Sequence, residues 1–328
     1  MRQKKLRVGI IGFGKMGRIR EKAIIKSGMA EIVAIYDPSL INDTRYPNFD
    51  SADSVLAAGI DAVFICTPNY LIKPLTLAAL EKDIHVFAEK PPGISLDEAI
   101  CMHNKVILDN NNTVLMFGFN HRHHASVQKM KKIIEDDLMG KVLWMRGRYG
   151  KEVDSSFFKG WRVRKELSGG GIMLDQGIHM LDLFLYLGGD FDQVKSFVSN
   201  LFWKIPDIED NVFAILKNSN SGLCASLHST MTQWRYLFSL EIFLERGSLI
   251  LNGLKTSSGA YGDEVLTIKY NDYSSHSEEI TYHENISWKS EILHFFDCIH
   301  DSKQPQYGNT YDAMNLMGII DKIYKDGI

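Results

Sequence analysis

Cysteine is scarce in this chain: 328 residues hold four, Cys66, Cys101, Cys224 and Cys298, and none forms a C-x-x-C pair. A disulfide framework or a zinc knuckle has no support. Long hydrophobic runs are missing too, since none approaches the roughly 18 residues that a membrane span needs. Met1-Arg2-Gln3-Lys4-Lys5 followed by the apolar run Val8 to Phe13 has the order of a signal peptide. Gly9, Gly12 and Gly14 break that run, however, and no cleavage-like site follows. The expectation is a soluble, cytoplasmic protein without a membrane partner. No sign of charge dominates: 37 basic residues face 40 acidic ones, for a net charge of -3, without a long run of either. Nucleic acid is therefore not an expected partner. Internal repeats and low-complexity tracts are absent as well.

The composition that remains, 45% hydrophobic and 23% charged, is that of a globular protein able to bury a core. The length suggests two domains. From residue 6 to about 120, short apolar runs alternate with amphipathic ones, the pattern of a parallel sheet with crossover helices. Leu6 to Phe13, Ile32 to Tyr36, Ala62 to Thr67, His85 to Ala88 and Val114 to Phe119 read as strands buried on both faces. Ser95-Leu96-Asp97-Glu98 reads as a capping box that opens a helix running to about Asn110. After Asn120 the texture changes. Consecutive segments with period-2 alternation, from about Val194 to Leu251, suggest an antiparallel sheet. Helices at about Trp288 to His300 and Tyr311 to Tyr324 follow. The fold class expected is α/β: a doubly wound Rossmann domain at 1–120, then an α+β domain with a mostly antiparallel sheet at 121–328.

Gly12-Phe13-Gly14-Lys15-Met16-Gly17 matches G-x-G-x-x-G where a strand ends and a helix begins, the setting of a dinucleotide fingerprint. The first glycine allows the tight turn, the second lets backbone approach a pyrophosphate, and the third lets helix pack on strand. A helix N-terminus there offers free N–H groups to the anion. Asp37 ends the second strand 20 residues after Gly17, the spacing at which a carboxylate reaches the adenosine ribose hydroxyls. That carboxylate would repel a 2'-phosphate, and Pro38-Ser39 bring no arginine. NAD is favoured over NADP.

Two further groups carry chemistry. Thr67-Pro68-Asn69 and Glu89-Lys90-Pro91-Pro92 follow the third and fourth strands, at the carboxyl ends where open parallel sheets bind ligands. Lys90 there could hydrogen-bond a nicotinamide amide and a substrate oxygen; its bland alternative is a solvated surface lysine. The second group is Gly169-Gly170-Gly171 followed by Asp175 and His179. On a helix Asp175 and His179 share a face at i, i+4, so the carboxylate can orient the imidazole, which takes a proton from a hydroxyl. A half-buried structural histidine is the alternative.

This combination resembles the Gfo/Idh/MocA family, the glucose-fructose oxidoreductase and inositol dehydrogenase group, over essentially the whole chain. The resemblance implies that Lys90, Asp175 and His179 are catalytic. It implies that the loop from Gly12 to Gly17, Asp37, Thr67, Pro68, Asn69, Glu89 and Lys90 hold the dinucleotide, with Trp161-Arg162 resembling a segment that reaches the cofactor from the second domain. It also implies an open-faced sheet in that domain, which commonly makes the contact of a homodimer or homotetramer. Asn120 and Arg122, at the junction of domains, are expected at the substrate together with His179. The substrate implied is a sugar, inositol or nucleotide-linked sugar, as in surface-polysaccharide sugar biosynthesis. His121, His123 and His124 lie close together, but no carboxylate or cysteine stands at supporting spacing, and no metal is expected. One departure is Ile72, where members usually carry His. The alternatives are an NAD-retaining hydrolase or eliminating enzyme, and a dinucleotide-binding regulator without turnover.

Overall fold

A computed structural model describes residues 4–40, 45–109, 112–256, 259, 261–271 and 277–327. Of the basic residues near the start, Arg2 lies outside them. The chain divides into two compact units, one of Met1–Asn120 with Trp288–Met317 and the other of His121–Ser287 with Gly318–Ile328.

In unit 1, β1 (Leu6–Ile11), α1 (Lys15–Ser27), β2 (Ala30–Tyr36), α2 (Ala52–Leu56), β3 (Ala62–Ile65), α3 (Ile72–Leu80), β4 (His85–Glu89), α4 (Leu96–Asp109) and β5 (Leu115–Gly118) follow one another. The strands form a parallel sheet in the order β2-β1-β3-β4-β5. All four residues of β3 and of β5 are buried, as continuous apolar runs require when helices cover both faces. At the start of α4 the Ser95 hydroxyl accepts from the Glu98 N–H at 3.4 Å, and the Glu98 carboxylate accepts from the Ile94 N–H at 2.9 Å. Ile72 is fully buried at the first position of α3. An apolar side chain suits that place.

The expected second domain, 121–328, included residues that pack in unit 1. Phe295 and Phe296 stand edge-on to Phe64, with centroids 5.6 and 6.0 Å away, while Phe64 stacks on Phe87 at 5.3 Å. A buried cation pins the same segment. The Arg20 guanidinium, with 0% exposure, pairs with Glu89 at 2.6 Å and Glu291 at 2.5 Å and lies over the Phe87 and Trp288 rings. Burial alone would disfavour its charge, but Glu291 and Glu89 hold it charged.

Unit 2 contains α5 (Ala125–Glu135), β6 (Val142–Gly150), α6 (Lys165–Ser168), a π-helical turn (Met173–Gly177), α7 (Ile178–Gly188) and β7 (Gln193–Ser199). Then come β8 (Asn211–Lys217), β9 (Cys224–Thr230), β10 (Leu237–Leu244), β11 (Gly247–Asn252), β12 (Glu264–Tyr270) and β13 (Ser277–Tyr282). The sheet order is β13-β12-β11-β10-β6-β9-β8-β7. Among the described strands of this second sheet, only the β6–β9 ladder is parallel. Strand β8 alternates in burial, with Phe213 and Ile215 turned outward and Val212, Ala214 and Leu216 inward. Helix α7, apolar on nearly every side, packs over the inner face, where a side chain at Gly147 would collide with Met180.

Candidate active site

The glycine loop has the geometry that its three glycines call for. Gly12 has a φ of +89°, and a side chain there would strike the Cys66 carbonyl. A Cβ on Gly17 would collide with the Gly12 carbonyl, so helix and strand can pack this closely only without one. Gly14 is exposed, and a Cβ there would meet nothing nearer than the Asp37 carboxylate at 4.0 Å. It precedes α1 without any side-chain cap or first-turn acid, which leaves N–H groups for an anion. Lys15 is exposed and Met16 half-buried in the first turn. The Phe13 N–H donates to Asp37 Oδ2 at 2.8 Å, so the carboxylate and the loop are tied together. Ser39 donates to the other oxygen from its N–H and hydroxyl.

At the carboxyl end of β3, Thr67 Oγ1 is buried with no protein partner. An uncapped helix start, an open approach at Gly14 and an orphaned hydroxyl fit a bound dinucleotide. Pro68 and Asn69 begin the short turn that leads into α3. At the end of β4, Lys90 is half-buried and precedes a cis peptide to Pro91. The Glu89 carboxylate accepts from Arg20 Nε at 2.6 Å, within the core of unit 1. Burial, then the Glu89 charge, push the Cys66 thiol well above the ordinary range, which disfavours its thiolate.

In unit 2 the glycine run answers a packing demand. A side chain on Gly171 would strike the Glu209 backbone, and the Glu209 carboxylate accepts from the N–H groups of Gly171 at 2.7 Å and Met173 at 2.9 Å. Tyr324 donates to it as well. Burial holds the Glu209 carboxyl above its usual range despite these donors.

Asp175 lies on the π-helical turn rather than within a regular α-helix, and its carboxylate pairs with the Lys151 ammonium. His179, in the first turn of α7, is 7% exposed, with its ring stacked on that of His121 at 4.0 Å and 15°. His121 Nε2 hydrogen-bonds the Tyr149 hydroxyl at 3.0 Å. Tyr149 in turn lies edge-on to Tyr261 at 5.1 Å. Both phenols are held above the ordinary range, Tyr149 by burial, Tyr261 and Asp175, and Tyr261 by burial and Asp175. The motifs assign roles to Asp175 and His179 but give His121, Tyr149 and Tyr261 none beside them. Their spacing in sequence is no guide; only the end of β6 gathers them.

Arg122, expected at the substrate, is 3% exposed and holds Asp182 through Nε at 2.9 Å and Nη2 at 2.6 Å. That bidentate pair is a fixture of the interior. Asn120 is buried in unit 1. His124 Nδ1 donates to the Glu264 carboxylate at 2.8 Å, and Ser126 donates to the same carboxylate. Burial pushes the Glu264 carboxyl up, but His124 and Ser126 outweigh it and hold it below its usual range. Among the described residues no cluster of His, Cys, Asp and Glu is arranged to hold a metal. Trp161 and Arg162 share a single turn, where the guanidinium lies over the Trp161 ring at 4.4 Å.

Residues 6–119 match the model of an "Oxidoreductase family, NAD-binding Rossmann fold", and residues 127–250 match the "GFO/IDH/MocA C-terminal domain". The chain belongs to the Gfo/Idh/MocA family. It is an NAD-dependent oxidoreductase, and unit 1 carries the NAD-binding Rossmann fold. It is 27% identical to levoglucosan dehydrogenase of Pseudarthrobacter phenanthrenivorans over 289 residues, 75% of this chain and 73% of the relative. With D-glucoside 3-dehydrogenase of Escherichia coli it shares 29% over 252 residues, 68% of this chain and 70% of that one. Among solved structures, levoglucosan dehydrogenase in complex with NADH and levoglucosan superposes with a TM-score of 0.86 at 23% identity, covering 99% of this chain and 97% of that one. At that identity the likeness speaks for the fold. No helix among the described residues is long and apolar enough to cross a membrane.

Proposed function

We propose that this protein oxidises a secondary hydroxyl of a sugar or sugar derivative, with NAD as acceptor. The observation that carries the reading is the setting of His179: a nearly buried imidazole, four residues after a carboxylate held by Lys151, backed by a second imidazole and a phenol. His179 takes the hydroxyl proton, and Asp175 supports the charge that the imidazole then carries. Lys90, at the carboxyl end of β4, orients the oxygen under oxidation. Bound NAD supplies the acceptor for the hydrogen and the electron pair that leave the carbon. The loop Gly12 to Gly17 holds the pyrophosphate, Asp37 the ribose hydroxyls, and Thr67, Pro68 and Asn69 the nicotinamide half, and Trp161 and Arg162 stay in this reading as further cofactor contacts. Asn120 stays in this reading as a substrate contact; Arg122 and Glu89 leave it, because each is committed to a buried ion pair.

The relatives named for levoglucosan and D-glucosides favour a pyranose ring over a free inositol. Purified protein is given NAD with levoglucosan, methyl β-D-glucoside, glucose 6-phosphate, myo-inositol and UDP-N-acetylglucosamine in turn, and absorbance at 340 nm is followed. NADH formed mole for mole with a ketosugar supports the dehydrogenase. Sugar consumed without net NADH sinks it in favour of an enzyme that retains NAD, and binding without any turnover would make the protein a regulator.

We further propose a homo-oligomer formed through the outer face of the eight-stranded sheet in the cytoplasm. Phe197, 76% exposed, sits in register with Phe213, and Ile215 is 53% exposed beside them, an apolar patch of the kind that marks a contact. Sedimentation velocity should give a dimer or tetramer, and Phe213→Glu should dissociate it.

A further inference from the structure

Lys151 is unlike the other lysines of the chain. It follows β6 directly, its N–H donates to the Thr230 carbonyl at 3.0 Å, and the residue is 8% exposed. Its ammonium lies 3.7 Å from the centroid of the Phe157 ring and pairs with Asp175. A buried ammonium is disfavoured unless a partner and a π-face compensate it. Here both are present.

The pair is lopsided in a telling way. The Lys151 side chain is 10% exposed and the Asp175 side chain 25%, so the ammonium stands behind and the carboxylate is the accessible member. An ion pair built for stability has no need of that asymmetry, and buried pairs contribute little net stability in any case. Asp175 also lies on a π-helical turn. There the regular face relation of i and i+4 in an α-helix does not by itself fix the carboxylate relative to His179. An outside anchor does.

We propose that Lys151 is a positioning residue of the oxidoreductase reaction: its ammonium fixes the Asp175 carboxylate, in place and ionised, for His179 and the substrate. The inference rests on the reading of Asp175 and His179 as site residues. Around Asp175 stand the titratable groups Tyr149 at the end of β6, Lys151 just after it, Tyr261 from the segment after β11, Glu209 behind the start of the turn, and His179 from α7. The two phenols stay protonated, and Lys151 is the cation that ends at Asp175. With that cation removed, the carboxyl loses the charge that favours its ionised form and its pKa rises. Activity that requires ionised Asp175 then fails at a higher pH than in the wild type.

The test compares Lys151→Met, Lys151→Arg, Asp175→Asn and the double variant Lys151→Met with Asp175→Asn. Each is assayed for kcat/KM across pH with NAD and levoglucosan or methyl β-D-glucoside. Lys151→Met should lower kcat/KM by about 100-fold, the effect of a misplaced catalytic group, and move the acid limb up by about one pH unit or more. Lys151→Arg should return the limb toward its wild-type position. The double variant should be no worse than Asp175→Asn alone. Independent of any sugar, carbon-13 NMR of aspartate-labelled protein, with Asp175→Asn to assign the signal, should show the Asp175 carboxyl titrating higher in Lys151→Met; Lys151→Gln serves if the methionine variant does not fold. An unmoved limb, an unmoved carboxyl signal, or losses that simply multiply in the double variant would overturn the role of Lys151 while leaving the site itself standing. If Asp175→Asn turns over like the wild type, the reading of the site fails first.

Discussion

In unit 1 the groups proposed for the pyrophosphate are backbone: N–H groups at the start of α1, left without a side-chain cap after a loop whose glycines are required by collisions at Gly12 and Gly17. In unit 2 the surroundings of His179 are side chains, gathered from residues 121, 149, 151, 175 and 261. Backbone chemistry has a fixed spacing and so leaves a pattern in sequence. Side-chain chemistry depends on which strands lie side by side. In the proposed reading, a cofactor common to many enzymes is served by the first arrangement, and a particular substrate by the second.

Substitutions that separate chemistry from binding have the largest expected effect. His179→Ala and Lys90→Ala should each lower kcat by about 100- to 10,000-fold, the range for loss of acid–base catalysis, with NADH affinity within a few-fold by fluorescence titration. A comparable loss of NADH affinity would erase the distinction. Next in size is Arg20→Met, which leaves Glu89 and Glu291 buried without their cation and should cost about 3–5 kcal/mol by urea unfolding; a loss under 1 kcal/mol would show the ion pair to be dispensable. Asp37→Ser should weaken NADH binding by about 1.5–3 kcal/mol, the contribution of hydrogen bonds to a charged acceptor, with little effect on NADPH. Equal effects on both would remove Asp37 from cofactor choice.

The smallest effect belongs to Glu264. Its carboxyl titrates below the usual range in the folded protein, so it adds stability above the unfolded carboxylate pKa, and that stability is lost as pH falls through the lower, folded value. The midpoint of thermal unfolding should therefore fall on acidification, and Glu264→Gln should flatten part of that fall. An identical pH dependence in both proteins would contradict this.

Much of the fold was legible in the sequence because it rests on local patterns. The five apolar runs before residue 120 are β1 to β5, and the switch to period-2 alternation marks β7 to β11. Strands β12 and β13 were passed over: β13, Ser277–Tyr282, is largely exposed at the sheet edge and carries two glutamates in place of a clear apolar face. The return of residues 288–317 to unit 1 could not be read either. An amphipathic helix does not state where its apolar face docks, and Arg20 and Glu291 are 271 residues apart. At the site, the spacing of the glycine loop and Asp37 does not announce the hydrogen bond that ties them, and the motif positions of Glu89 and Arg122 do not announce their buried ion pairs. Lys151 had no motif at all. Nothing local distinguishes a lysine that supports a carboxylate from one that solvates a strand.

The most direct test of the account is a titration of the purified protein with NADH and, separately, with NADPH, followed by nicotinamide fluorescence. Binding of NADH at least about tenfold tighter than NADPH, the consequence of a 1.4 kcal/mol preference set by Asp37, is the result predicted. Binding of neither, or a clear preference for NADPH, would contradict the cofactor site from which the rest of the account is built.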